Sequence, residues 1–332
     1  MTAAPPSALP AGCTARPMRA DDIPVLAELL TAAEAVDDTG VHESAEDLTE
    51  FWVNDLVDLA QDTRVVATAD GELVAWATAI APPTFRDAFG VHLEGRVHPR
   101  WRGRGIGRAL LEWQLARGAE VHAQRHPEAP ARLTVTAYTS MPDLAAMLGR
   151  AGLEQVRWFF HMSRPLTDLP AERTVEGVEL VAFSWDRDDE VRRAHNAAFT
   201  EHYGSSERDP ASWAAWFTGQ SQFRPDLSVL AVQDGAVVAY VLAYVSETSV
   251  AVTGERETYF GQIGVLPGAR GRGLSKAAIV RALRVAAGRD CQVAGLQVDS
   301  DNGSGALGLY EGLGFRTSRT EVSWSRQVPP LS

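Results

Sequence analysis

Two short stretches have the composition to grip a phosphate: Arg102-Gly103-Arg104-Gly105-Ile106-Gly107 and Arg270-Gly271-Arg272-Gly273-Leu274-Ser275. Each follows a Val-x-Pro tripeptide, Val97 to Pro99 and Val265 to Pro267, and every matched pair keeps one offset of 168 residues. The first N–H groups of a helix have no partner within the helix, and its dipole adds partial positive charge there. Glycine lets such a turn approach a ligand closely, and arginine adds charge-assisted bonds to phosphate oxygens. A nucleotide P-loop would need Gly-Lys-Ser/Thr, which neither turn has. A dinucleotide fingerprint would need a third glycine where Arg108 and Lys276 stand. What remains is a pyrophosphate cradle of another type, present twice.

The elements that must position these turns also come in two sets. Upstream, Val65 to Trp76 and Val229 to Tyr240 each carry two β-like runs joined by Asp-Gly, a hairpin signal because glycine accepts the positive φ of a tight turn. Downstream, Leu110, Trp113 and Leu115 in one copy, and Ile279, Leu283 and Ala286 in the other, take helical spacing. Further β-rich runs follow at Leu133 to Ala137 and Ala294 to Val298, then short helices ending at Gly152 and Gly314. Amphipathic helices, Ile23 to Ala33 and Asp189 to Phe199, open the copies. The polar, proline-containing stretch Pro165 to Gly177 reads as the linker, which predicts domains over 1–166 and 175–332.

Bulk properties narrow the function. A chain of 332 residues suits two domains at about 150 residues each. The net charge of −12 argues against a nucleic-acid partner, which needs a basic face. No apolar run approaches the roughly 20 residues of a membrane span and the N-terminus lacks signal-peptide character, so the expected location is cytoplasmic. Cys13 and Cys291 show no metal-ligand spacing, and no metal is expected.

The paired turns resemble the coenzyme A signature of the GNAT acetyltransferase superfamily, Q/R-x-x-G-x-G/A. In the second copy, Asn302 followed by Ala306, Leu309-Tyr310 and Gly314-Phe315 is similar to the late signature of that family. The resemblance implies an α/β (α+β) fold of two tandem domains, each a mostly antiparallel sheet flanked by helices with a splayed coenzyme-binding strand. It implies acetyl-CoA as co-substrate and transfer to a primary amine, a small molecule being the leading acceptor. A non-catalytic acyl-CoA sensor or a protein amine acceptor are the alternatives.

Carried over by motif, Tyr310 becomes the proton donor to the departing thiolate, against the plainer reading of a core aromatic. Ile263, Gly264 and Val265 would align the pantetheine arm, Arg270 to Ser275 would cradle the pyrophosphate, and Asn302 would join the coenzyme site. Ser275 stands where the family has glycine or alanine. The family often has a glutamate where this chain has Tyr259. Glu257, two residues earlier and on the same strand face, or a water chain, is the alternative base. In the first copy, Val97 and Arg102 to Gly107 keep the cradle, but Leu148 stands where Tyr310 does, so that domain reads as degenerate. His92, Glu94 and His98 keep a minor catalytic reading of it open. The aromatic segment Phe199 to Phe217 would either wall an acceptor pocket or pack the core.

Overall fold

The computed structural model describes residues 8–54, 57–200, 205–301 and 305–331. The first half of the chain runs β1 (Cys13–Arg16), α1 (Ile23–Asp37), α2 (Ala45–Trp52), α3 (Leu59–Asp62), β2 (Thr63–Thr68), β3 (Leu73–Ile80), β4 (Phe89–Val97), α4 (Ile106–Arg125), β5 (Ala131–Tyr138), α5 (Pro142–Arg150) and β6 (Glu154–Pro165). The second half runs β7 (Glu179–Ala182), α6 (Asp188–Ala198), α7 (Pro210–Trp213), β8 (Val229–Gln233), β9 (Ala236–Tyr244), α8 (Glu247–Thr253), β10 (Glu257–Val265), α9 (Leu274–Ala287), β11 (Val293–Asp299), α10 (Ala306–Gly312) and β12 (Arg316–Val328). This is the mixed α/β architecture expected; the halves share the order strand, helices, hairpin, strand, helix, strand, helix, strand, and differ by a third helix, α3, before the hairpin of the first and by α8 after the hairpin of the second.

Two compact units result: Met1–Arg157 with Glu321–Ser332, and Trp158–Thr320. In the first, β1 to β4 pair antiparallel in sequence order, β4 pairs parallel with β5, and β12 lies antiparallel to β5. In the second, β7 to β10 pair antiparallel, β10 pairs parallel with β11, and β6 lies antiparallel to β11. Each unit therefore takes its last strand from the other half of the sequence. Both sheets are mostly antiparallel with one parallel pair, and that pair carries each site.

Local sequence explains the elements. Asp234 and Gly235 both take positive φ, 50° and 81°, the turn that suits the twist of a two-residue hairpin. Ser44 caps α2 by accepting from the Asp47 amide while the Asp47 carboxylate bonds back, a reciprocal capping box. α9 turns an almost continuous apolar face, Ala278, Ile279, Ala282, Leu283 and Ala286, into the core beneath β9 to β11. On the opposite face of that unit, Trp213, Phe217, Phe183 and Tyr240 form a second, aromatic cluster. The aromatic segment thus packs the core through Trp213 and Phe217, while Glu201, His202 and Tyr203 lie outside the described residues. No helix among the described residues is long and apolar enough to cross a membrane.

Candidate active site

The C-terminal unit opens where β10 leaves β11. Glu257 to Tyr259 pair with Val293 to Gly295, but from Gln262 to Val265 the strand pairs only with β9, after a bulge between Phe260 and Gln262. The free edge of Ile263 to Val265 offers backbone groups to an extended arm in the manner of an added strand. Gly264 is bare for a reason: a Cβ there would come within 2.5 Å of the Tyr240 ring and hydroxyl. That hydroxyl pairs with His195 Nδ1 at 2.9 Å inside the aromatic cluster, so a buried dyad sets the floor beneath the strand.

Past Val265 the chain makes one tight turn, Pro267–Ala269, and enters the cradle. Gly271 and Gly273 hold φ of 79° and 81°, and a Cβ at either would meet nothing within 4 Å. Glycine is needed here for backbone conformation, since an L side chain strains that region whatever the space. Gly273 is the N-cap of α9 and has no side chain to occupy the first N–H groups, which leaves them for an anion. The arginines do other work: Arg270 donates to the Ala198 carbonyl at 3.0 Å, and Arg272 to Gln233 at 2.6 Å and the Glu176 carbonyl. They brace the turn and leave its backbone N–H groups open.

Tyr310, on α10, is 7% exposed and stands edge-on to Phe315, in the apolar cluster against which Ile263 also packs. Its hydroxyl has no hydrogen bond among the described residues, and burial pushes its pKa up to about 12. The phenol therefore keeps its proton at neutral pH. Buried Arg164 of β6 donates to the Leu313 carbonyl at the end of α10 and to the Thr167 carbonyl at 2.8 Å, so the strand from the first half fastens the helix that carries the tyrosine. Asn302 lies outside the described residues.

Glu257 and Tyr259 flank Gly295 on one sheet face. The Glu257 carboxylate lies over that glycine, where a Cβ would collide with it, and the Tyr259 ring borders the same spot. Crowding by its surroundings and then Glu255 raise the Glu257 pKa, while Arg319 and His161 oppose the shift. His161 bonds Gln297 at 3.0 Å on the same face. Sequence reasoning had no signal for His161 and Gln297, because only the pairing of β6 with β11 brings them beside Glu257.

The N-terminal unit has the same plan with different groups. Leu93, opposite Val135, is the last β4 residue paired with β5, and from Glu94 onward β4 is free of it. A cavity of about 630 Å³ fills the opening, lined by Val97, Arg102, Gly103, Gly105, Ile106 and Gly107 among others. Gly103 and Gly105 repeat the positive φ, 75° and 89°. Arg102 grips buried Asp37 through both terminal nitrogens, at 2.7 and 2.8 Å, and Arg104 stacks 4.5 Å over Trp101. Leu148 is fully buried and lines this cavity where the other unit has Tyr310. Among the described residues no three His, Cys, Asp or Glu side chains group to hold a metal ion.

Two sheets that each part beside a glycine-rich helix start define the class: a double coenzyme-dependent acyltransferase fold. A profile of the Acetyltransferase (GNAT) family matches the chain twice, over residues 28–132 and 189–315. A mycothiol acetyltransferase of Frankia alni is 31% identical over 324 residues, 92% of each chain. One from Frankia casuarinae is 34% identical over 242 residues, 70% of this chain and 67% of its own. A crystal structure of a GCN5-related N-acetyltransferase from Sphaerobacter thermophilus gives a TM-score of 0.76 at 25% identity, over 97% of this chain and 98% of its own. The chain belongs to the GNAT acetyltransferase family in tandem form, and it is an acetyl-CoA-dependent acyltransferase.

Proposed function

We propose that the C-terminal unit moves acetyl from acetyl-CoA to a primary amine of a small polar molecule by direct attack in a ternary complex. The observation that carries this reading is Tyr310, a neutral phenol with an unpartnered hydroxyl in the cluster beside the parted strand. The name of the relatives supports an acceptor of the mycothiol type. In this reading the N-terminal unit keeps a coenzyme cradle but transfers little, because Leu148 offers no hydrogen bond to a departing thiolate.

Glu257, its affinity for protons raised, takes a proton from the incoming ammonium directly or through water. The nitrogen lone pair then adds to the thioester carbon. As the carbon–sulfur bond breaks, the nitrogen gives its second proton to water, and the amide and coenzyme thiolate form. A phenol near pKa 12 facing a thiol near 8.5 lies about 5 kcal/mol uphill for complete proton transfer. Tyr310 therefore acts chiefly as a hydrogen-bond donor to the developing thiolate, which solvent then protonates. The backbone amides of the splayed strand polarise the carbonyl.

Steady-state acetyl transfer by Tyr310→Phe tests this. The expected result is a kcat lower by about a hundredfold with KM for acetyl-CoA within threefold of wild type. An unchanged kcat would remove Tyr310 from the mechanism.

A further inference from the structure

Two tyrosines of β9 lie on the two glycines of the splayed strand. Tyr240 is the register partner of Gly264, and Tyr244 stands beside Gly261 at the bulge. A Cβ at these glycines would come within 2.5 Å of the first ring and 2.8 Å of the second. Just beyond the strand, the Leu266 amide donates to the Val238 carbonyl at 2.9 Å. Alternation along an antiparallel pair then turns the backbone groups of Gly264 toward Tyr240 and those of Ile263 and Val265 toward the free edge. Gly264 is thus the fixed point between the two residues that can bond an extended arm.

A ring against a glycine sets the strand only if the ring itself is held. The Tyr240 hydroxyl meets His195 Nδ1 at 2.9 Å, and the two residues are 0% and 3% exposed. His195 in turn stacks on Phe199, ring centroids 4.4 Å apart, and meets Phe217 at 5.2 Å. Its helix, α6, reaches the glycine-rich turn as well, since Arg270 donates to the Ala198 carbonyl. The N-terminal unit lacks this hold. There Trp76 is the partner of Arg96, its indole Nε1 has no hydrogen-bond partner among the described residues, and β3 and β4 pair without a shift in register.

We infer that His195 and Tyr240 are positioning residues for acetyl transfer: their bond holds the Tyr240 ring against Gly264, and so sets where the Ile263 and Val265 backbone meets the pantetheine arm. The inference rests on the use of acetyl-CoA by the C-terminal unit proposed above. Both side chains act through the strand. Neither can be removed alone without leaving the other buried and without its partner, so the pair works as a unit.

The test is calorimetric titration of acetyl-CoA into the full chain carrying Gly107→Glu, which leaves the C-terminal cradle to report. Adding Tyr240→Phe keeps the ring and removes the bond, and the dissociation constant is expected to rise about fivefold, the weight of one hydrogen bond. His195→Ala should do the same, and the double variant should lose no more than either single one. His195→Asn, which can still bond the phenol, should recover most of the loss. A merely structural role would lower the fraction of chain that binds and leave the dissociation constant of the rest unchanged. The comparison of His195→Asn with His195→Ala carries the test if Tyr240→Phe does not fold. Dissociation constants within about twofold of the Gly107→Glu parent in both single variants, or losses that multiply in the double variant, overturn this inference alone. No binding by the parent overturns it together with the coenzyme reading beneath it.

Discussion

The two units share one backbone device and divide the chemistry between them. The C-terminal unit keeps a buried phenol, Tyr310, in the apolar cluster beside its splayed strand and has the neutral Gln262 where that strand regains pairing with β9 past the bulge. The N-terminal unit has an acid, Glu94, where its strand parts and a leucine in place of the phenol. The arginines differ as well: Arg102 is locked to buried Asp37, while the matching Arg270 holds a backbone carbonyl at the surface. A duplicated scaffold can thus keep the groups that shape the turn while those that act on a substrate diverge, because the turn depends on backbone conformation and the chemistry on single side chains.

The comparison breaks most readily at the cradles. Ser275 and Gly107 occupy the second position of α9 and α4, where φ is ordinary and a carboxylate is tolerated by the helix dipole. An anion there would repel the pyrophosphate without straining the turn. Ser275→Glu is expected to lower kcat/KM for acetyl-CoA by about a hundredfold or more, whereas Gly107→Glu leaves it within threefold. Equal losses in transfer assays would show that both units work together.

A smaller effect separates the arginines. Arg102→Ala leaves Asp37, 4% exposed, with Arg96 at 4.0 Å as its remaining ion-pair partner among the described residues, and should cost about 2 kcal/mol in denaturant unfolding. Arg270→Ala, which loses a bond at the surface, should cost about 0.5 kcal/mol. Similar costs would mean that the two turns are braced alike.

The smallest expected effect concerns Glu43, whose pKa rises from 4.5 to about 7, first through burial and then through Glu94. The folded state holds this proton more tightly than the unfolded chain does. Stability is therefore full below pH 4.5 and falls as pH rises through about 7. Glu43→Gln should stabilise the protein at pH 8 by about 1 kcal/mol, after allowance for solvent screening, and change nothing at pH 4. A gain equal at both pH values would show that the fold does not raise the proton affinity of Glu43.

Much of this architecture is legible in sequence because it is local. Asp234-Gly235, Gly271 and Gly273 announce turns that need positive φ, and the spacing of Ile279, Leu283 and Ala286 announces the helix behind them. The repeat at one offset makes each sign stronger. Glu257 was also within reach, since alternation along the strand puts it on the face of Tyr259. The roles of Arg102, Arg104, Arg270 and Arg272 were not, because a guanidinium beside a cradle reads as a phosphate ligand until its partner is known.

The exchange of terminal strands is the clearest case of what lies beyond local pattern. Nothing local in β6 or β12 says which sheet each one joins. Only long-range pairing places β6 against β11 and β12 against β5. That choice sends Arg164 to the end of α10 and Arg326 to the Ala151 carbonyl at the end of α5, the same service in opposite units. It also carries His161 beside Glu257 and Glu321 beside Glu94. Turns, helices and the glycine-rich helix starts follow from neighbours in the chain, whose preferences are short-ranged and written in residue type. The partners of the reactive groups follow from strand pairing across the chain, which residue type alone does not specify.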